Sequence, residues 1–358
     1  MSANYQVRIK TAAGVTVAIL TDFESLAYSK RVNAPGVASW RLHGDHEAIS
    51  LHEHRGQVEI WRRNADLDID WYCDFYGLFL DQGYAYTDRD VWTGRSYGTN
   101  WLLSTRWVAW YASTANRTKF TATAAETILK TLVDYNAGAN ATVANGRLRE
   151  GAITGLSIQA DGAGGNTLDW FCPWQSLLPT LQRVADVAGG DFDLVRTGAA
   201  TVEFRWYAGQ LGTDRSATVI FAVERGNMAN PRYHYDRADE RTAVIVAGQG
   251  ELDDRATVVR TGTDYSAAND IEAIKDARHI DSVAGLEDHA DQYLDDKQAR
   301  QVITFDVLQT PACLYGVDYE MGDLVTARYH TTVTQKIVGV TVNFSDGQER
   351  IGLELETQ

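Results

Sequence analysis

Alternation of period two marks both ends of this chain, and helical spacing interrupts it only between them. Val15, Val17 and Ile19 alternate with small or polar residues, and Val58 and Ile60 alternate with Gln57 and Glu59. A strand pattern also runs from Trp71 to Asp81, with Asn64-Ala65-Asp66 supplying turn residues before it. Successive strand side chains point to opposite faces, so this pattern buries one face and wets the other. Residues 1–112 read as mostly strands, and Gly77 in mid-strand marks a bulge or bend.

The character then changes. Thr123-Ala124-Ala125-Glu126 is a capping box, with Ala125, Ile128, Leu129, Leu132 and Val133 at helical spacing behind it. A second helix runs from an N-cap at Ser176 through Leu177, Leu178, Leu181, Val184 and Ala188. Pro179 falls in its first turn, where a missing amide costs little, and Gly189-Gly190 ends it. Strands return where Val202, Phe204 and Trp206 alternate with Thr201, Glu203 and Arg205, and again at Val244–Val246. Residues 269–299 read as mainly helical, with Leu286, Ala290, Tyr293 and Leu294 on one face. The end is strand-rich, at Ile303–Val307, Leu324–Tyr329, Ile337–Phe344 and Ile351–Leu355.

One internal echo links the two ends. Gly56-Gln57-Val58-Glu59-Ile60 precedes Tyr76-Gly77-Leu78-Phe79-Leu80-Asp81, and Gly322-Asp323-Leu324-Val325-Thr326 precedes Val338-Gly339-Val340-Thr341-Val342-Asn343. Two small barrels of related design would produce it. So would chance similarity between two antiparallel hairpins.

The formal charge of -15, from 48 acids against 33 bases, argues against a protein that grips nucleic acid. Solubility is the ordinary use of such a surface. Three cysteines, Cys73, Cys172 and Cys313, lie too far apart for a metal spacing or a disulfide framework. The N-terminus lacks the basic and apolar runs of a signal peptide, and no apolar stretch reaches the 18 residues of a membrane span. The expectation is synthesis in the cytoplasm of the producing cell.

His43, His46, His52 and His54 cluster within twelve residues, beside Asp45, Glu47 and Glu53, and form the best metal candidate. They lack helical i,i+4 ligand spacing and a cysteine knuckle, so a solvated loop is the preferred reading. Asp66, Asp68 and Asp70 resemble a calcium loop, but Trp71 and Gly77 occupy positions that need glycine and glutamate. Six tryptophans lie between Trp61 and Trp110, with tyrosines among them. They suit barrel interiors and subunit interfaces, or a sugar-binding platform with nearby carboxylates. Asp161–Asn166 is glycine-rich but has no phosphate-loop lysine. No catalytic, cofactor-binding or metal-ligating residue is assigned.

The order of these pieces resembles the tail-hub family of siphophages, a distant relative of the central hub of contractile-phage baseplates. Thr21-Asp22-Phe23-Glu24-Ser25-Leu26 leads to Arg31-Val32-Asn33-Ala34-Pro35-Gly36, similar to the family's N-x-P-G opening. Gly94-Arg95-Ser96-Tyr97 followed by Leu102-Leu103-Ser104-Thr105-Arg106 is similar to the segment that closes its first domain. Ala125-Glu126-Thr127-Ile128 and Trp174-Gln175-Ser176-Leu177-Leu178 resemble its helix starts. Tyr315-Gly316-Val317-Asp318-Tyr319-Glu320-Met321-Gly322-Asp323-Leu324-Val325 resembles its Y-x-x-G-D-x-V lead into a barrel.

That resemblance implies a mainly β fold with α+β insertions: two barrel-like tube domains plus peripheral helical or mixed domains. The first barrel-like domain is expected at 1–115, an α+β insertion at 116–200, the second barrel-like domain at 201–250 with 301–358, and a helical insertion at 251–300. It further implies a non-enzymatic homotrimer at the virion's tail tip. Three chains with two barrels each would join a six-fold tube to a three-fold tip. The implied partners are the distal tail protein, the tape measure and tip or fibre proteins, with DNA passing through unbound. The chain's end at Gln358 leads us to expect no appended lysozyme or receptor-binding domain. Two other classes stay open: a carbohydrate-binding or carbohydrate-cleaving tail protein using 61–111, and a metal-dependent enzyme at the histidine cluster.

Overall fold

The computed structural model describes residues 4–357 apart from 68, 87, 112–117, 173, 252–253 and 279. Strand outweighs helix by 49% to 16%, which makes the fold mainly β, as expected. Asp68, Met1 to Ala3, Gln358 and the 115/116 boundary lie outside the described residues.

Seven strands come first: β1 (Asn4–Lys10), β2 (Thr16–Leu20), β3 (Ser25–Arg31), β4 (Ala34–His43), β5 (Gln57–Asn64), β6 (Ile69–Tyr86) and β7 (Asp90–Gly98). A mixed segment follows, with α1 (Trp101–Ser104), β8 (Thr118–Ala124), α2 (Ala125–Asn136), β9 (Leu156–Ile158) and β10 (Thr167–Cys172). It continues through α3 (Leu177–Ala188), β11 (Gly190–Arg196) and β12 (Val202–Ala208). Next come β13 (Ile220–Ala222), β14 (Met228–Asp236), β15 (Ala243–Ala247), β16 (Thr257–Thr261), β17 (Glu272–Asp276) and α4 (Val283–Asp296). The chain closes on β18 (Arg300–Val307), β19 (Leu324–Tyr329), β20 (Thr331–Ser345) and β21 (Gln348–Thr357).

The two strand-rich ends meet in one sheet, in the order β13-β19-β20-β3-β4-β7-β6-β5-β1-β2, with β21 also paired to β20. Alternating side chains make the core beneath it. Val7, Ile9, Val58, Ile60, Tyr28 and Trp40 from the first strands share one cluster with Phe221, Tyr315, Val325, Val340 and Val342 from the last. The joint is β20, which pairs with β19 over Thr331–Lys336 and with β3 over Gly339–Ser345. β6 likewise pairs with β5 up to Leu78 and with β7 from Gly77 onward. A Cβ at Gly77 would stand 2.7 Å from the Tyr97 carbonyl oxygen, so only glycine fits that crossing. Gly77 and Gly339 therefore sit where long strands change neighbours.

The two insertions have cores of their own. α2 and α3 pack with the sheet β11-β12-β9 around Leu129, Leu181, Phe192 and Phe204. α4 covers the sheet β16-β15-β17 through Leu286, Ala290 and Leu294. Several sequence readings are corrected here. β12, expected in the second barrel-like unit, pairs antiparallel with β11 because Phe204 and Trp206 complete the helical insertion's core. β15, assigned to the same unit, pairs with β16 and β17. The 269–299 stretch is helical only over Val283–Asp296, and Glu272–Asp276 is a strand whose mixed composition masks its period. The capping box does not form. β8 runs straight into α2, Thr123 Oγ1 donates to the Thr121 carbonyl, and Glu126 is taken by Lys130 and the Gly164 amide. Ser176 and Gly189 do bound α3, with Gly189 left-handed at φ 63°.

Candidate assembly site

The seam between the first and last strands is built on two buried charges. Asp74, on β6, accepts hydrogen bonds from Tyr28 Oη (2.6 Å), Lys30 Nζ (2.6 Å) and Tyr315 Oη (2.9 Å). Burial opposes its ionisation, but Lys30 and the two phenols outweigh it and hold the pKa below the ordinary carboxylate value. Burial, and then the Asp74 charge, push both phenols far above their usual range, so they stay protonated donors.

Arg62, on β5 and 2% exposed, grips Glu349 of β21 through Nε to Oε1 (2.7 Å) and Nη2 to Oε2 (2.9 Å). This two-pronged geometry is the strong form of such a pair. Its Nη1 donates to Tyr72 Oη (2.9 Å) and to the Tyr315 carbonyl (3.1 Å), and Tyr5 Oη donates to Glu349. Tyr315, in the segment before β19, and Glu349 of β21 thus tie the C-terminal part of the sheet to Asp74, Arg62 and Tyr5 of the first strands.

Motif residues make the other joints. Asn33, in the β3–β4 turn at φ 57°, donates to Asp191 Oδ1 (3.1 Å) and accepts from the Phe192 amide (2.7 Å). Asn100 repeats the device, donating to Asp193 Oδ1 (2.9 Å) and accepting from the Leu194 amide (3.0 Å). Asp323 accepts from Thr213 N (2.6 Å), Arg215 Nε (2.9 Å) and Glu320 N (2.9 Å). The Gly164 amide of the 161–166 turn bonds Glu126 Oε2 (2.7 Å) at the start of α2.

The sheet's two end strands are finished differently. On β13, Asn227 Oδ1 accepts from the Ala222 amide (2.9 Å) and its Nδ2 donates to the Ile220 carbonyl (3.0 Å), which closes that edge. β2 pairs only with β1 among the described strands. Val17 and Ile19 on it, and Val15 beside it, are 40%, 53% and 62% exposed. An open, uncharged, apolar edge is a template for another chain.

The histidines of the metal candidate take separate places. His46 caps the turn at Glu47–Leu51 and contacts Asp22 (3.1 Å), and His43 lies near Asp45 (3.9 Å). His52 stacks among Trp40, Phe79 and Trp92, where burial lowers its pKa, and His54 is exposed. Asp70 accepts from the Trp71 amide (2.7 Å). The aromatics divide. Trp92 is fully buried and Trp61 lies under Arg8 at 3.8 Å, whereas Tyr84, Tyr86 and Trp107 are exposed at 63%, 74% and 58%. The buried seam went unread in the sequence, although Tyr315 and Asp323 stand in the Y-x-x-G-D-x-V stretch that carried the resemblance.

A mainly β chain whose ends fuse in one sheet around two inserted α+β units is the fold of phage tail proteins. It superposes on a tail protein from Neisseria meningitidis MC58 with a TM-score of 0.60 at 12% identity, over 100% of this chain and 97% of that one. The prophage MuSo2 43 kDa tail protein from Shewanella oneidensis gives 0.59 at 10%, over 98% of each. The E. coli c3393 protein, a type VI secretion component with structural similarity to T4 tail proteins gp27 and gp5, gives 0.50 at 9%, over 94% of this chain and 74% of that one. No curated protein matches the chain. The family described as Siphovirus ReqiPepy6 Gp37-like protein matches residues 6–356, and the chain belongs to it. No helix among the described residues is long and apolar enough to cross a membrane.

Proposed function

We propose that this chain is a non-catalytic hub at the tip of a phage tail, forming a homotrimeric ring that adapts a six-fold tube to a three-fold tip. The observation that carries the reading is the fused sheet. Each half of it holds a long strand, β6 or β20, that changes neighbours at a glycine, and the buried seam holds the halves as one piece. Strands β1–β7 form one barrel-like unit, and β13, β14 and β18–β21 form the other. Three copies present six such units around an axis. The open β2 edge meets the next copy, and neighbouring tail proteins cover the ring's two rims.

Three chains at -15 each carry -45. An acidic or neutral inner wall lets duplex DNA pass, because a basic one would hold its phosphates. That repulsion acts within about 8–10 Å at physiological salt.

Light scattering and particle imaging test the reading. A trimer with three-fold symmetry is expected, and Val17→Pro with Ile19→Lys lowers its population while leaving the melting temperature of the chain unchanged. A stable monomer or a dimer at high concentration sinks the ring. Salt-dependent DNA binding by the ring sinks the channel.

A further inference from the structure

A cleft of about 420 Å³ lies between the first strands and the helical insertion. Leu78 of β6, Leu102 of α1, Ile153 before β9 and Val202 of β12 give it apolar walls. Arg55 and Arg106 are the charged residues of its lining, and no carboxylate stands among the described residues that line it. In a chain with a formal charge of -15, a cleft lined by cations alone runs against the composition.

The two arginines are held in place by different means. Arg106 Nε donates to the Gly151 carbonyl (2.5 Å), and its Nη1 donates to the carbonyl and hydroxyl of Thr105 (3.2 and 3.0 Å). Arg55 is pinned through its main chain, whose N–H donates to the Phe79 carbonyl (2.8 Å). Its φ of 64° lies in the left-handed region, which glycine adopts freely and an arginine only with strain. The Arg55 side chain is exposed, with Cζ 6.0 Å from the Trp101 ring centre. Neither guanidinium has a carboxylate within ion-pair distance among the described residues. Burial first, then Arg149 and Arg55, lower the pKa of Arg106. Crowded cations without a counter-ion are stabilised when an anion enters beside them.

We propose that this cleft binds a carboxylate carried on a small apolar body, with the carboxylate taken by Arg55 and Arg106 and the apolar body set against Leu78, Leu102, Ile153 and Val202. A planar guanidinium grips a carboxylate through two parallel hydrogen bonds. Mostly apolar walls with a few polar groups that fix orientation are the ordinary make-up of a small-ligand site, and the volume suits one. Phosphate fits less well, because Arg106 has turned most of its donors to Gly151 and Thr105 and leaves Arg55 to meet the extra oxygens. The C-terminal residue of another protein chain and a free amphipathic acid share the required chemistry. The site stands on the cleft itself and is independent of the ring.

The test is calorimetric titration of the full chain with the tripeptide acid acetyl-AAL, with its C-terminal amide as the neutral twin and acetyl-leucine as the free acid. The tripeptide acid is expected to bind once per chain, at least tenfold tighter than the amide. Arg55→Gly keeps the left-handed backbone, removes the guanidinium and weakens binding tenfold or more with no loss of melting temperature. Ala200→Trp, at an exposed position of the wall, fills the cleft and weakens binding to the same degree. Acetyl-leucine within tenfold of the tripeptide assigns the site to a free acid, and a larger preference for the tripeptide assigns it to a chain terminus. Equal affinity for acid and amide, no saturable binding, or undiminished binding to Arg55→Gly overturns the proposal. Tighter binding of inorganic phosphate overturns it in favour of a phosphate site.

Discussion

The central seam buries its charges in matched pairs, whereas the junction where α3 and α4 meet β20 and β21 gathers exposed acids around one buried pair, Asp191 and Lys336. At the seam every ionised group has a counterpart: Asp74 has Lys30, and Arg62 has Glu349. At the junction, Asp186 of α3, Asp191 of β11, Asp296 of α4 and Glu356 of β21 gather around Lys336. Lys336 is already held by Asp191 at 2.7 Å. Burial, and then Asp296, Glu356 and Asp191, push the Asp186 carboxyl up to about 6. Matched charges stay ionised across the working pH range, so the seam behaves as a fixed joint. Surplus like charge makes the junction the place where the molecule answers to pH.

The largest effect that could break this contrast is Asp74→Ala. It leaves Lys30 and two phenols buried without an acceptor, and a loss of about 3–5 kcal/mol is expected in urea unfolding. A loss near the surface-mutation level would show that the seam is not a joint. Next, Arg62→Ala and Glu349→Ala should be strongly non-additive, with a coupling of about 1–3 kcal/mol in a double-mutant cycle. Simple additivity would split the seam into independent bonds.

Lys336→Met at the junction should cost less, about 1–3 kcal/mol. Asp191 keeps Asn33 Nδ2 (3.1 Å) and the Leu211 amide (2.7 Å) when the lysine is lost. A cost above that of Asp74→Ala would reverse the comparison.

The smallest effect is the pH response. The folded Asp186 pKa of about 6 lies above its ordinary 3.8, so the folded state holds the extra proton between those values. Its contribution is fully present below 3.8 and is lost as pH rises through about 6. The wild type should therefore lose more stability between pH 5 and pH 7 than Asp186→Asn does. Asp186 keeps contact with solvent, which trims the difference. Equal slopes in the two proteins would remove the pH role from the junction.

Elements with a clean period were legible in the sequence. Val202, Phe204 and Trp206 read as a strand, and Leu177 to Gly189 read as a helix with its ends. Membership was not. The β12 alternation says only that one face is buried, and nothing in it distinguishes the sheet β11-β12-β9 from a barrel. Glu272–Asp276 escaped because its outward residues include two acids and an isoleucine, so no period of two stands out. At the seam, Asp74 and Arg62 sit in strands whose neighbours are aromatic. Charges there read as solvated until Tyr315 and Glu349 arrive from the far end of the chain.

The sequence by itself determined where the chain makes strands and helices, and it placed glycines and asparagines at the turns, because these depend on neighbours a few residues away. Asn33 and Gly322 are left-handed wherever the chain goes next. Only the tertiary structure decided that the two strand-rich ends share one sheet, that Asn227 closes one end of it while β2 stays open, and that Asp74 and Arg62 are buried in ionised form. The shared sheet and the contacts of Asp74 with Tyr315 and of Arg62 with Glu349 depend on partners hundreds of residues distant. A buried charge is stable only when its counterpart is delivered to within hydrogen-bonding distance, and that delivery is a property of the fold.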